Sequence, residues 1–384
     1  MAIHFTSAEF ETRIENLCRA LNSASLDGIL LFKQESMYYL TGYETFGFCF
    51  FQCLYLDALG RKMLITRAPD LRQAQHTSTI EDIRVWPDDA SESAVQFLRR
   101  MLDDLGCRGQ HLGIELDSYG LTARNWVALE SELKAFCRLS DKSELVNYLR
   151  RVKSNAEMTY VKKAAKLADD ALDEAVSLCN PGEDEGRILA AMHSKIFNAG
   201  GDYSGNEFII GSGRDALLCR YHSGRRSLST RDQLTLEFAG VYRRYHACLM
   251  RTVVIGAPSS LQKEMYSVCA DALSACFDKI EPGAAMGSVF DTHAKVMDQS
   301  GFRAHRMNAC GYSLGATFSP TWMDYPMFFH GNTEPIVSGM VLFLHMILMN
   351  SETGYAMTLG ETICVEEEGI VRLSRHGSNL IVRE

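Results

Sequence analysis

The chain has no block rich in lysine or arginine, and its formal net charge is −9. Nucleic acid and anionic membranes are therefore poor partners for it. No stretch approaches the ~18 uninterrupted apolar residues of a membrane span, and no basic–apolar–small pattern marks a secretory leader. The twelve cysteines are scattered, with no CxxC pair and no regular spacing. That pattern suits reduced thiols and a cytoplasmic location better than a disulfide framework. Internal repeats and low-complexity segments are also absent. What remains is an ordinary globular composition, 46% hydrophobic and 23% charged, over 384 residues, which is enough for two domains.

Two α/β regions are predicted. In the first, "AEFETRIENLCRALNSASL" has helical apolar spacing and "DGILLF" reads as a short buried strand. "FFQCLYLDALGRKMLIT" reads as a hairpin turning near Leu59-Gly60. "AVQFLRRMLDDLG" reads as a helix closed by Gly106, before the strand "HLGIEL". A break at Lys153-Ser154-Asn155, where Ser or Asn can cap a new helix, separates residues 1–150 from residues 151–384. The second region mixes helices with long apolar strands such as "DQLTLEFAGVYRRYHACLMRTVVIG" and "GMVLFLHMILM". Between them "GYSLGATFSPTWMDYPMFFHG" reads as an apolar loop, which is costly if left in water.

Polar residues inside apolar strands carry the functional signal. Glu237 lies in "LTLEFAG", Cys248 in "YHACLMRT", His345 in "VLFLHMILM" and Glu361 in "TLGETICV". His222 ends the stretch "LLCRYHSG". A buried carboxylate without a partner is expensive, so it pairs, shifts its pKa or binds a ligand. Taken singly, each of these residues is most simply an outward-facing or hydrogen-bonded side chain.

"YYLTGYETFG", "LRRVKSNAEM" and the order of these strands resemble the pita-bread family of aminopeptidase P, Xaa-Pro dipeptidase and creatinase. That resemblance implies a creatinase-like α/β domain followed by a pita-bread catalytic domain. The metal-dependent members use two Asp, one His and two Glu. The resemblance puts those ligands at Glu237, Cys248, Tyr312, His345 and Glu361, and the identity survives only at Glu361. A second family His falls near Ser319. A catalytic His is matched by His222. Creatinase is a metal-free member, and by that precedent no metal and no other cofactor is expected here. "FKQESMYYLTGYETFGF", "TRAPDLRQAQHTS" and "GYSLGATFSPTWMDYPMF" are similar to the ectoine hydrolase branch of the family.

The resemblance implies hydrolysis of ectoine, a zwitterionic cyclic amidine, to an N-acetylated diaminobutyrate. The protonated N–C–N unit is already electrophilic, so it needs carboxylates more than a Lewis acid. Glu237 and Glu361 are expected to hold the amidinium, His222 to move the proton, and Tyr312 and His345 to orient the ring. Phe318, Trp322, Tyr325 and Phe328 offer apolar walls, with Cys248 and Asp324 beside them. Arg residues that grip a carboxylate in some members are replaced here by apolar residues or His330. Phe48 matches an aromatic that closes the partner subunit's site in creatinase, which implies a homodimer. Two other readings stay open: a metallohydrolase built on Glu237, Cys248, His345 and Glu361, and a non-enzymatic binding module.

Overall fold

The computed structural model describes residues 3–220 and 223–384. The chain divides into two compact units, Met1–Arg150 and Arg151–Glu384.

The first unit is a three-layer α/β fold. Its elements are α1 (Ser7–Ser23), β1 (Gly28–Leu31), α2 (Gln34–Thr41), β2 (Cys53–Asp57), β3 (Lys62–Thr66), α3 (Leu71–Thr77), β4 (Asp82–Val85), α4 (Ala94–Asp104), β5 (His111–Ile114), α5 (Ala123–Leu133), β6 (Arg138–Asp141) and α6 (Ser143–Arg150). The strands form a six-stranded mixed sheet in the order β4-β3-β2-β1-β5-β6. Strand β1 is apolar throughout because helices cover both of its faces. Leu30, Tyr55, Met63 and Ile65 join the core that includes Leu98 and Leu129 of α4 and α5. Ile29, Leu31, Leu54, Leu56 and Leu64 join the core that includes Leu17 and Leu40 of α1 and α2. The predicted hairpin and helix stop are both present, with Gly60 at φ +89 and Gly106 at φ +78.

The second unit contains α7 (Asn155–Leu178), α8 (Glu185–Asn198), β7 (Ile209–Ser212), β8 (Asp232–Tyr242), β9 (Tyr245–Ile255), α9 (Ser260–Lys279), α10 (Met286–Gln299), β10 (Ala309–Ser313), β11 (Asp324–Phe329), β12 (Val341–Asn350), β13 (Tyr355–Glu366), β14 (Gly369–Arg372) and β15 (Ile381–Arg383). Ser154 caps α7 in a reciprocal capping box with Glu157. The segment predicted as an apolar loop is partly strand. Its start lies in β10 and its end forms β11, and these two pair with each other.

The large sheet runs β11-β10-β12-β13-β9-β8-β7. At its centre β13 and β9 share only two paired positions, Leu359↔Arg251 and Gly360↔Met250. Threonines replace the ladder on either side. Thr362 Oγ1 accepts from Cys248 N at 2.9 Å and donates to Cys248 O at 2.7 Å, while Thr252 Oγ1 accepts from Thr358 N at 2.8 Å. Satisfying the backbone through side chains lets the strands diverge without orphaned amides.

One face of this sheet is packed by helices. Leu342, Leu344, Leu359 and Ile363 bury against α9 and α10. Helix α7 lies so close to β8 that a Cβ on Gly240 would sit 2.0 Å from Ala164 O. The opposite, inner face carries the polar residues described next.

Candidate active site

Neighbours across an antiparallel ladder point to the same side of the sheet, and successive residues alternate. The pairs Glu237↔Met250, Ala239↔Cys248, Met250↔Gly360, Gly360↔His345 and Phe343↔Tyr312 therefore place Glu237, Cys248, His345 and Tyr312 together on the inner face. Ring contacts support this: Tyr312 and His345 centroids are 5.7 Å apart, and both pack near Phe343.

Each group is altered by its surroundings. Burial pushes the Glu237 carboxyl up to about 7, with Arg220 opposing the shift. Burial drives the His345 imidazole down to about 3, and the buried His293 of α10 adds to that, so His345 is neutral. Among the described residues its Nδ1 has no hydrogen-bond partner. Burial raises the Cys248 thiol and the Tyr312 phenol well above their usual ranges, with the Glu237 charge adding to both. Trp322 Nε1 donates to the Tyr312 hydroxyl at 2.7 Å, which fixes that phenol and closes one side of the face with a fully buried indole.

Glu361 is not brought to this group. It pairs with Leu344 and lies on the helix-packed face. There its Oε1 accepts from Arg251 and, at 2.9 Å, from Arg372. The inner-face position of β13 is Gly360, where an added Cβ would meet the Phe343 ring at 2.6 Å. Successive strand residues point to opposite sides of the sheet, so Glu361, one position after Gly360, faces the helices.

Other expected residues also lie elsewhere. His330 is exposed and bonds Asp291 at 2.8 Å. Phe328 belongs to the helix-side core. Asp324 Oδ2 sits beside Gly315, near Lys153, and its charge is felt at His246. Phe318 is buried below the Arg244 guanidinium, 5.1 Å from its carbon, and Tyr325 is half-buried. Phe48 sits in the short turn Gly47–Cys49 of the first unit. His222 lies outside the described residues.

Sequence reasoning missed three features. The first is Arg251, fully buried as the partner of Glu361; its place in "CLMRT", an arginine in an apolar strand, was the available signal. The second is Arg220, two residues before His222 in the stretch already singled out. The third is His246, whose Nε2 accepts from Gly205 N at 2.9 Å while Nδ1 bonds Thr317 at 3.1 Å. Burial holds its imidazole down at about 4, so it is a neutral structural group.

A paired-metal centre needs several anionic ligands on one face to balance two divalent cations. Among Glu237, Cys248, Tyr312 and His345 only Glu237 is a carboxylate, and the Glu361 carboxylate is taken up by guanidinium groups. Among the described residues no three His, Cys, Asp or Glu side chains are grouped to hold a metal. These residues do not fit that centre. No helix among them is long and apolar enough to cross a membrane.

The sequence matches the Creatinase/Prolidase N-terminal domain over residues 13–152 and Metallopeptidase family M24 over residues 159–368. It is 25% identical to an ectoine hydrolase of Halomonas elongata, covering 100% of this chain and 99% of the relative. It is 19% identical to an Xaa-Pro dipeptidase of Pyrococcus furiosus, covering 96% of this chain and 99% of the relative. The prolidase structure from Thermococcus sibiricus superposes with a TM-score of 0.88 at 20% identity, over 98% of this chain and 100% of that one. With its creatinase-like first unit and pita-bread second unit, the chain belongs to Metallopeptidase family M24.

Proposed function

We propose that this M24 hydrolase opens the ring of ectoine. The observation that carries the reading is Glu237, a largely enclosed carboxylate poised near neutrality and in no ion pair among the described residues. An amidinium brings the positive charge and two N–H donors that such a carboxylate lacks. Full-length similarity to an ectoine hydrolase supports the same substrate.

In this reading Glu237 accepts from the amidinium N–H and holds the ring against Tyr312 and Trp322. Water adds to the carbon between the two nitrogens, forming a C–O bond. One ring C–N bond then breaks and its nitrogen leaves as an amine after taking a proton, so the other nitrogen ends as an acetamide. His222 is the sequence candidate for carrying the proton from water to that nitrogen. Neutral His345, whose Nδ1 has no partner among the described residues, is the candidate to hydrogen-bond the tetrahedral carbon's new hydroxyl.

The test is turnover after exhaustive chelation, with ectoine and an Xaa-Pro dipeptide as competing substrates. Ectoine is expected to be consumed and the dipeptide left intact. Dipeptide cleavage that depends on an added divalent metal, without ectoine turnover, overturns the reading in favour of a peptidase. His222→Ala should lower kcat by ~10²–10⁴.

A further inference from the structure

Glu237 addresses one end of a zwitterion, and the carboxylate end needs a cation. The chain after β7 supplies one. Residues 213–217 form a short 3₁₀ turn fastened along the inner face of β8. Gln233 Nε2 donates to Gly213 O at 2.8 Å, and Thr235 Oγ1 donates to Ala216 O at 3.1 Å. Glu237 is the next residue of β8 on that side. From Gly213 to Ala216 the turn runs in the direction of β8, and at Leu218 the backbone becomes extended. The segment thereby brings Cys219, and Arg220 after it, toward Glu237, whose charge is felt at the Cys219 thiol.

Arg220 is exposed there and donates Nη1 to its neighbour Cys219 O at 2.8 Å. It makes no ion pair among the described residues. Its guanidinium lowers the Glu237 pKa and is also felt at Tyr312 and His345, which places its charge over the inner face.

We propose that Arg220 binds the carboxylate of the ring substrate while Glu237 faces its amidinium, so that the site selects a zwitterion over a simple cation. The assignment rests on the cyclic-amidine reading above. Guanidinium matches a carboxylate in shape as well as charge, through two parallel N–H donors. An exposed Arg at the rim also costs little to hold before substrate arrives, since water still solvates it.

Calorimetry with two ligands tests it: ectoine, and the same ring lacking the carboxylate. The proteins are the wild type, Arg220→Ala and Arg220→Lys. Arg220→Ala should weaken ectoine roughly 10- to 100-fold and leave the bare ring unchanged or slightly tighter, because Glu237 loses a competing cation. Arg220→Lys should recover part of the loss. Equal changes for both rings would show that Arg220 only sets the charge on Glu237, and the proposal falls. Unchanged ectoine affinity also overturns it, as does a wild type that binds both rings equally well. If the wild type binds neither ring, the substrate reading itself has failed and this assignment goes with it.

Discussion

The two faces of the large sheet carry Glu237 and Glu361, and they use them in opposite ways. On the helix-packed face Glu361 is fully enclosed and accepts from Arg251 and Arg372. On the inner face Glu237 has no such partner among the described residues, and its carboxyl rises to about 7. A carboxylate answered by guanidinium groups holds the fold together. One left unanswered is available to an incoming cation.

The comparison breaks most sharply through Glu361. Glu361→Ala leaves the buried Arg251 guanidinium unpaired, and stability should fall by about 3–5 kcal/mol, read by chemical denaturation. Glu237→Gln should act the other way on stability. The folded carboxyl keeps its proton up to about 7, whereas an ordinary Glu loses it near 4.5. The folded state thus holds a proton that the unfolded chain has released, and stability drops as pH rises through that window. Glu237→Gln removes the penalty, so it should stabilise by up to about 3 kcal/mol near pH 8 and change little near pH 4. The same substitution should weaken ectoine binding roughly 100-fold.

A subtler contrast lies in the pH dependence of binding. Below about 7 Glu237 is protonated and must release that proton to meet a cation. Ectoine affinity should therefore fall toward tenfold per pH unit below that value and level off above it. Calorimetry in buffers of different ionisation enthalpy will read the released proton directly. A pH-independent affinity would remove Glu237 from the amidinium. The smallest effect is expected at the junction between the faces. Thr362→Val strands the Cys248 amide and carbonyl, at a cost of about 1–3 kcal/mol, measured by thermal melting.

Much of the fold was legible because its signals are local. The capping box at Ser154, the stop at Gly106 and the turn at Gly60 each follow from a few adjacent residues. The apolar strands announced themselves by composition, and so did the polar intruders Glu237, Cys248 and His345. Strand β11 was missed because aromatics, glycines and prolines suggest a loop when read alone, and only β10 supplies its partner. The side on which Glu361 points was not legible either. It depends on a two-residue register between β9 and β13, set by residues more than a hundred positions apart. Arg251 as its partner is fixed by the same distant pairing, whereas Arg372 comes from the adjacent strand β14.

The buried histidines have a consequence under acid. Burial holds His246 and His293 down at about 4 and His345 at about 3. Once unfolded, each would take up a proton near 6.5. As pH falls below that point the unfolded chain becomes a proton sink that the folded second unit cannot match, and every step toward pH 4 draws the equilibrium toward unfolding. Acidification should therefore release this half of the molecule well before its ordinary carboxylates have all been neutralised.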